Sequence, residues 1–411
     1  MKQRSTWHLR CGRVPPMTDI FISGGRCLIG PDLANASLTI SEGVIARLDA
    51  SGQHARLDLD ATGLTVLPGI VDIHGDAFER QMMPRAGVDF PIDVALIDSD
   101  RQAVSNGITT VFHAATWSWE PGLRSAGNAR HLLESIEALR PRLAADTRFH
   151  LRHETYNLDD EDEIRGLLAA RRIDLFAFND HMDSTVASLD KPHKRQRMVD
   201  RTGLSGDDFD RLVGRIAARA DVVPASIARL AEAARQAGVR MLSHDDESPE
   251  MRRAFRGHGV GIAEFPVNEE TAREAAAGGD AIVFGAPNVV RGGSHTGWTK
   301  ASEMIAKDLC SVLASDYYYP APLLAAYRLV ADRILSLSRA WSLISAGPAH
   351  AAGLSDRGSL AAGQRADILL VDDSIAMRPR VVAVIAAGRL VYLTDIDRLS
   401  TAVAPRAAAA E

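Results

Sequence analysis

After Pro68 the chain settles into a rhythm that leaves few folds open: a short apolar run, a polar loop, an amphipathic helix, then the same again. Eight such runs can be read: GIVDIH (69–74), ITTVFHA (108–114), FHLRHE (149–154), IDLFAFND (173–180), VRMLSHD (239–245), GIAEFP (261–266), AIVFGAP (281–287) and CSVLASD (310–316). Strands that are apolar along most of their length are buried on both faces, as when helices pack outside a parallel sheet. The clearest helices are NARHLLESIEALRPRL, with Leu132, Leu133, Ile136 and Leu139 on one face, and SIARLAEAARQAG, closed by Gly238. No glycine-rich dinucleotide fingerprint follows the first strand. An α/β fold built on a (β/α)8 TIM barrel is therefore expected over an open doubly wound sheet.

The flanks have a different texture. Residues 17–67 carry short alternating strands with Gly and Asp turns (DIFISGG, ASLTISEG, VIARLDA, LTVLPG), and β character returns from Leu354 in DRGSLAAGQRADILLVDD and VVAVIAAGRLVYL. A small antiparallel β-sandwich drawn from both ends, 17–67 and 354–397, is expected beside a barrel over 68–353. Residues 1–16 and 398–411 are expected to be flexible tails, with Met17 the more natural start. Met182 to Ala225 forms an unusually long connection, of the kind that shapes or covers a site.

Composition excludes several classes. With 47 basic and 53 acidic residues the net charge is −6, which argues against wholesale nucleic-acid binding. No apolar run is long enough to span a bilayer, so no membrane partner is expected. The three cysteines, Cys11, Cys27 and Cys310, are scattered and suggest no disulfide framework, in keeping with a reducing cytoplasmic setting. A homodimer is the default expectation for assembly.

Function is written at the strand ends. Alternation along the first strand puts Asp72, His74 and Asp76 on one face, with Val71 and Ile73 on the other. For one such His–Asp pair, a hydrogen-bonded polar cluster is the commoner arrangement. The pattern recurs, however: FHLRHE aligns His150, Arg152 and Glu154, and further strands end in His181, His244 and Asp316. Six nitrogen and oxygen donors at the face where barrel enzymes place their catalytic groups point to a metal site. Imidazole and carboxylate without thiolate suit zinc, manganese or iron, and six donors exceed the needs of one catalytic zinc, so two divalent ions are expected. His153 is out of phase with that face, His193 lies in a polar loop, His350 lies in a helix, and His113 is left unassigned near the mouth.

Near the seventh strand, GAPNVVRGGSHTGW brings Asn288, Arg291, Gly292, Gly293, Ser294 and His295 into one short loop able to cradle phosphate oxygens. Taken alone, a Gly-Gly loop is more often a turn. Arg85 and Arg152 are further candidate anion contacts, while Lys191, Lys194, Arg195 and Arg197 read better as a solvated charge run than as a clamp.

The chain resembles the amidohydrolase superfamily over nearly its whole length. LPGIVDIH is similar to that superfamily's first-strand motif, and SAGPAHAAGLSDRGSLAAGQRADILLVD to the segment where the barrel hands back to the β-domain. HGD with MPR, GITTVFHA, HLRHE, the DH at 180–181, SHDD, GAPNVVRGGSHTG and SDYYYP resemble its branch of ribose 5-triphosphate diphosphatases, enzymes of carbon–phosphorus bond breakdown. The resemblance implies His74 and Asp76 on one metal, Glu154 bridging, His181 and His244 on the second, and Asp316 both binding the first and taking a proton from the attacking water. It implies conversion of α-D-ribose 1-methylphosphonate 5-triphosphate, a small phosphorylated substrate, to the 5-phosphate and pyrophosphate. Gly75, Ala77, His153, Trp298 and the two Trp residues of TWSWE depart from the branch's pattern. An amidohydrolase cleaving a C–N bond at the same site is the alternative, and a non-enzymatic scaffold, which would have lost ligands, ranks last.

Overall fold

The computed structural model describes residues 18–49, 55–85, 87–293 and 299–401. Cys11, the start at Met17, and Ser294, His295 and Trp298 fall outside them, as do residues 402–411. The first part of the β-domain comprises β1 (Thr18–Ile29), β2 (Asp32–Ser41), β3 (Val44–Leu48), β4 (Ala55–Asp60) and β5 (Thr65–Pro68). The barrel strands follow: β6 (Ile70–Gly75), β7 (Ile108–Trp117), β8 (Asp146–Glu154), β9 (Leu175–Asn179), β10 (Arg240–His244), β11 (Ile262–Glu264), β12 (Ala281–Gly285) and β13 (Val312–Ala314). The chain then returns to the β-domain with β14 (Ile368–Asp372), β15 (Arg380–Ala386), β16 (Arg389–Leu393) and β17 (Leu399–Thr401).

All eight apolar runs are strands, parallel and hydrogen-bonded in sequence order from β6 to β13. The ring closes at its C-terminal mouth, where Gly75 bridges Asp316. Lower down, Leu343 and Ile344 wedge between the first and last strands, accepting from Leu313 N and Val71 N. The outer faces of the strands meet the helices: Phe149, Leu151, Phe176 and Phe178 pack with Leu132, Leu133 and Ile136 of the helix Ala126–Leu139, as its periodicity predicts. Each fully buried Phe or Leu in this layer contributes about 2 kcal/mol.

The β-domain folds around the long strand β1. It pairs antiparallel with β2, but parallel with β4 and β5, so the sheet is mixed and not purely antiparallel. The two chain ends join where β14 pairs antiparallel with β5, and Ile20, Ile22, Leu38, Ile40, Ile368, Leu370 and Ile385 fill the core between the halves. Leu399–Thr401, expected to lie in a flexible tail, instead pair with β4. The buried Arg357 ties this domain to the barrel, donating to Thr110 Oγ1 at 2.8 Å and Asp146 Oδ2 at 2.6 Å.

The long connection is a helical subdomain. Met182–Leu189, Pro192–Thr202 and Gly206–Ala217 are helices over a small core of Met182, Val199, Phe209, Val213 and Ile216. Lys191, Lys194 and Arg197 are exposed, and Arg195 is held by Asp210, in keeping with a solvated run.

The expected phase of the first barrel strand is corrected. Its register with β7 slips between Asp72 and Gly75, so two residues of β6 face one of β7. Val71 and Ile73 pack with Phe112, Leu175, Leu242, Ile262, Val283 and Val312, one from each of six other barrel strands, and such residues can meet only in the lumen. Asp72 therefore points outward, accepting from Ser315 N at 3.0 Å and Ser315 Oγ at 2.5 Å. The bulge then returns His74 to the lumen. A Cβ on Gly75 would lie 2.7 Å from Asp72 Oδ2, so any larger residue at this crossing would push that carboxylate aside.

Candidate active site

Three non-glycine residues one or two positions after barrel strands have left-handed backbones: Asp245 (φ 57°), Phe265 (φ 58°) and Asp316 (φ 54°). For Phe this conformation is a genuine outlier, and such strain concentrates at functional sites. Each residue still extends the ladder, since Asp245 N donates to Glu264 O, Phe265 N to Val283 O and Asp316 N to His74 O. The chain thus turns inward at the mouth without giving up a hydrogen bond. Phe265 lies edge-on to both His74 and His244, with centroids 4.9 and 5.3 Å away.

Glu264, which the sequence reading passed over, sits at the floor of the site. Its wholly buried carboxylate accepts from His74 Nδ1 at 2.7 Å and His244 Nδ1 at 2.8 Å. Those contacts leave no space for an ion between the three groups and direct each Nε2 lone pair toward the cavity. Burial pushes Glu264 up to about 7, against the pull of His150 and Arg152. Burial, then Arg152, holds His74 down at about 3, so its imidazole is neutral.

Around these imidazoles the acids gather. Among the described residues, donor atoms of His74, Asp76 and Asp316 lie within 4.8 Å of one another, as do those of His181, His244 and Asp245. Asp245, the first acid of SHDD, is the second residue the sequence reading missed. Burial, then the neighbouring Asp76, raises the Asp316 carboxyl well above the usual range. His181 donates from Nδ1 to Glu154 Oε1 at 2.8 Å, and its Nε2 lies 3.5 Å from Asp245 Oδ2. Burial opposes charge on His181, but Glu154 and Asp245 outweigh it and lift the imidazolium to about 10. Glu154 belongs to neither donor group. The buried Arg152 lies between them, 3.0 Å from His244 Nε2 and 3.5 Å from Asp76 Oδ2.

The chemistry of the donor set fits a metal centre. Neutral imidazoles with their Nδ1 protons engaged, beside carboxylates crowded enough to raise Asp316, form a nitrogen–oxygen site that attracts a divalent cation. Because Arg152 donates to the His244 Nε2 lone pair, an ion on His244 must displace it.

The expected phosphate loop is rebuilt by the structure. Ala286–Arg291 is a short helix ending at Gly292, whose φ is 79°. The N–H groups of Gly292 and Gly293 donate to Val289 O and Asn288 O, so they close the helix and do not point at a ligand. Asn288 is also engaged, donating to Thr299 O and accepting from Ala301 N. Arg291 remains at the rim of the cavity, contacting Tyr317 Oη at 3.3 Å, with no carboxylate partner among the described residues. Arg85 sits on an exposed turn and lines no cavity of this mouth. His153 stacks on Phe176, and His113 lies edge-on to Phe78, both outside the lumen.

The model of the amidohydrolase family matches residues 95–392. The chain is 30% identical over 361 residues to an α-D-ribose 1-methylphosphonate 5-triphosphate diphosphatase of Escherichia coli (strain K12), covering 85% of this chain and 94% of that protein. A D-hydantoinase superposes with a TM-score of 0.62 at 14% identity, over 92% of this chain and 95% of that chain. A zinc-bound adenosine deaminase from Xanthomonas campestris superposes with a TM-score of 0.60 at 15% identity, over 92% of this chain and 94% of that chain. At such identities the two structures speak for the fold alone. Among the described residues no helix is long and apolar enough to cross a membrane.

Proposed function

The chain belongs to the amidohydrolase family, and from that premise we propose that it is a metal-dependent diphosphatase releasing pyrophosphate from a sugar 5-triphosphate. The substrate this reading favours is α-D-ribose 1-methylphosphonate 5-triphosphate, on which the Escherichia coli relative is named to act. The observation that carries it is the pairing, at one mouth, of His74, Asp76, His181, His244, Asp245 and Asp316 with a rim arginine, Arg291, that has no carboxylate partner among the described residues. Two divalent ions held by those donors, with Glu154 beside His181, would lower the pKa of water and neutralise charge on the attacked phosphoryl group.

The chain's own groups do the rest. Asp316, beside His74 and Asp76 at the mouth, takes the proton of the attacking water. As the water oxygen bonds to the α-phosphorus, the bond from that phosphorus to the α,β-bridging oxygen breaks and pyrophosphate leaves. Arg291 offers a cation to the departing phosphates, and Arg152, freed from His244, can follow the α-phosphoryl oxygens. Glu264 keeps His74 and His244 in one tautomer throughout. Metal-loaded protein should release pyrophosphate from α-D-ribose 1-methylphosphonate 5-triphosphate and leave hydantoins, ureas and N-acetyl sugars intact. Amide hydrolysis without pyrophosphate release would overturn the proposal in favour of C–N chemistry.

A further inference from the structure

Arg252 takes no part in the chemistry of the mouth, yet its side chain is wholly shielded from solvent. Arginine is almost never buried so completely unless it is paired. This one lies in the helix Pro249–Gly257, and its Nη1 donates to Ser243 Oγ at 2.6 Å, Asp246 Oδ2 at 3.2 Å and Ile262 O at 3.3 Å. Its Nη2 donates to Val260 O at 2.6 Å, and its Nε lies 3.2 Å from Asp280 Oδ2. Asp280 has a further cation in Arg256, whose Nη2 donates to the same oxygen at 2.7 Å. The guanidinium therefore ties β10 to the starts of the next two barrel strands.

Two of these contacts bear on the mouth. Ser243 and Asp246 stand on either side of His244 and Asp245 in SHDD, and Ser243 Oγ donates to Asp246 Oδ2 at 2.6 Å. One guanidinium thus grips both ends of a turn whose middle residues belong to the donor group His181, His244 and Asp245. The turn needs holding, because the left-handed backbone of Asp245 (φ 57°) is uncommon for a residue with a side chain. The main chain alone contributes two bonds, Asp245 N to Glu264 O at 2.8 Å and Val267 N to Asp246 O at 3.1 Å. We propose that Arg252 is a positioning residue for the metal centre: through Ser243 and Asp246 it fixes the turn that brings His244 and Asp245 to one ion position. The other position, at His74, Asp76 and Asp316, has anchors of its own. Asp316 N donates to His74 O at 2.9 Å and Asp76 N to Asp316 O at 3.1 Å, across the seam of the barrel. The inference rests on the two-metal reading and adds which ion Arg252 serves.

The test uses full-length protein stripped by chelator and titrated with zinc against a competing indicator, with elemental analysis counting the ions. Wild type should take up two. Ser243→Ala opens the turn but keeps the Arg252–Asp246 pair, and should weaken one ion by about tenfold while leaving the other unchanged. Arg252→Met should weaken the same ion by about 10- to 100-fold, and Arg252→Lys, which restores a cation, should recover part of the loss. Ser243→Ala carries the test where Arg252→Met does not fold. Double variants identify the ion. In the Ser243→Ala background Asp245→Ala should cost less affinity than it does in wild type, while Asp76→Ala should act on the other ion with its full effect. A residue that only stabilised the fold would lower the urea midpoint and leave both zinc affinities unchanged, and that result overturns the proposal. So does equal weakening of both ions, or coupling of Ser243→Ala to Asp76→Ala in place of Asp245→Ala. Wild type that takes up fewer than two ions would overturn the two-metal reading and this inference with it. Two ions that respond as expected in a protein releasing no pyrophosphate would overturn the diphosphatase reading alone.

Discussion

Replacing Glu264 by Gln removes one formal charge and almost no volume, so its effect reports on hydrogen-bond polarity. The carboxylate accepts two Nδ1–H bonds, from His74 at 2.7 Å and from His244 at 2.8 Å. An amide has one accepting oxygen, and its NH2 group would face an N–H of the second imidazole. That imidazole escapes the clash by moving its proton to Nε2, which removes the lone pair it turns toward the cavity. One nitrogen donor is thereby lost without any change in the residues lining the site. Disrupting such a supporting contact typically lowers metal affinity about 10- to 100-fold, or roughly 1.4–2.8 kcal/mol. Chelator competition read by elemental analysis measures the affinity, and two-dimensional nitrogen–proton NMR of labelled imidazoles reads the tautomers. The expected result is weaker metal binding together with one histidine in the Nε2–H form. A Gln variant that bound metal as tightly as wild type, with both rings still protonated on Nδ1, would refute the orienting role.

Asp316→Asn keeps an oxygen donor but removes the proposed base, so turnover should fall by about 10²–10⁴-fold while metal content is retained; near-normal turnover would remove it from the mechanism. Arg152→Met deletes the cation donating to His244 Nε2. It should destabilise chelator-treated protein by about 3 kcal/mol and metal-loaded protein by much less, and equal losses in urea unfolding would show that ion and guanidinium do not substitute for one another. Asp146→Asn breaks the clamp to Arg357, at a cost of about 2 kcal/mol near neutral pH. Burial alone would raise the Asp146 carboxyl, but Arg148 and Arg357 outweigh it and hold it below the usual range. The folded state thus binds that proton more weakly than the unfolded chain. The clamp is fully present above the ordinary carboxylate pKa and is lost as pH falls through the lower folded value. The stability gap between wild type and Asp146→Asn should therefore be constant down to about pH 4 and close below it; a gap that widens on acidification would contradict this sign.

The barrel was legible because each of its strands is buried on both faces, which makes runs such as LFAFN and AIVFG apolar throughout. Within the long connection, where only a helical stretch after DKPHKRQRMVDRTG can be read, the helix Pro192–Thr202 was hidden for the opposite reason. Pro192–Thr202 buries only Val199 and Thr202, so its periodicity is drowned by exposed charge. The phase error at Asp72 came from a bulge, which inserts a residue where simple alternation assumes none. Gly75 was the one local hint, since a glycine inside a strand often marks such a crossing. Glu264 could have been found by the rule that found Asp316: an acid at the C-terminal end of an apolar barrel strand. The phosphate-cradle expectation for Gly292 and Gly293 failed because PNVVRGG is also a helix with its terminating glycine, and backbone N–H groups can serve only one of the two roles.

Charge explains why the site is arranged around Arg152. The mouth layer gathers Asp76, Asp245, Glu264 and Asp316 close to neutral His74 and His244, and burial raises both Glu264 and Asp316. A cluster of acids in a low-dielectric cavity needs cations, or its members must take up protons. The fold supplies two, the His181 imidazolium beside Asp245 at the edge and Arg152 at the centre, the latter with hydrogen-bond reach to one donor group and ionic reach to the other. Divalent ions held there, as proposed, would supply more charge at the same place. The guanidinium would then be free to leave His244 for the cavity that it lines together with Arg291. The same residue can thus balance the acid cluster and, were ions held there in its place, would be able to meet a phosphoryl oxygen, which under the proposed function would tie metal loading to readiness for an anionic substrate.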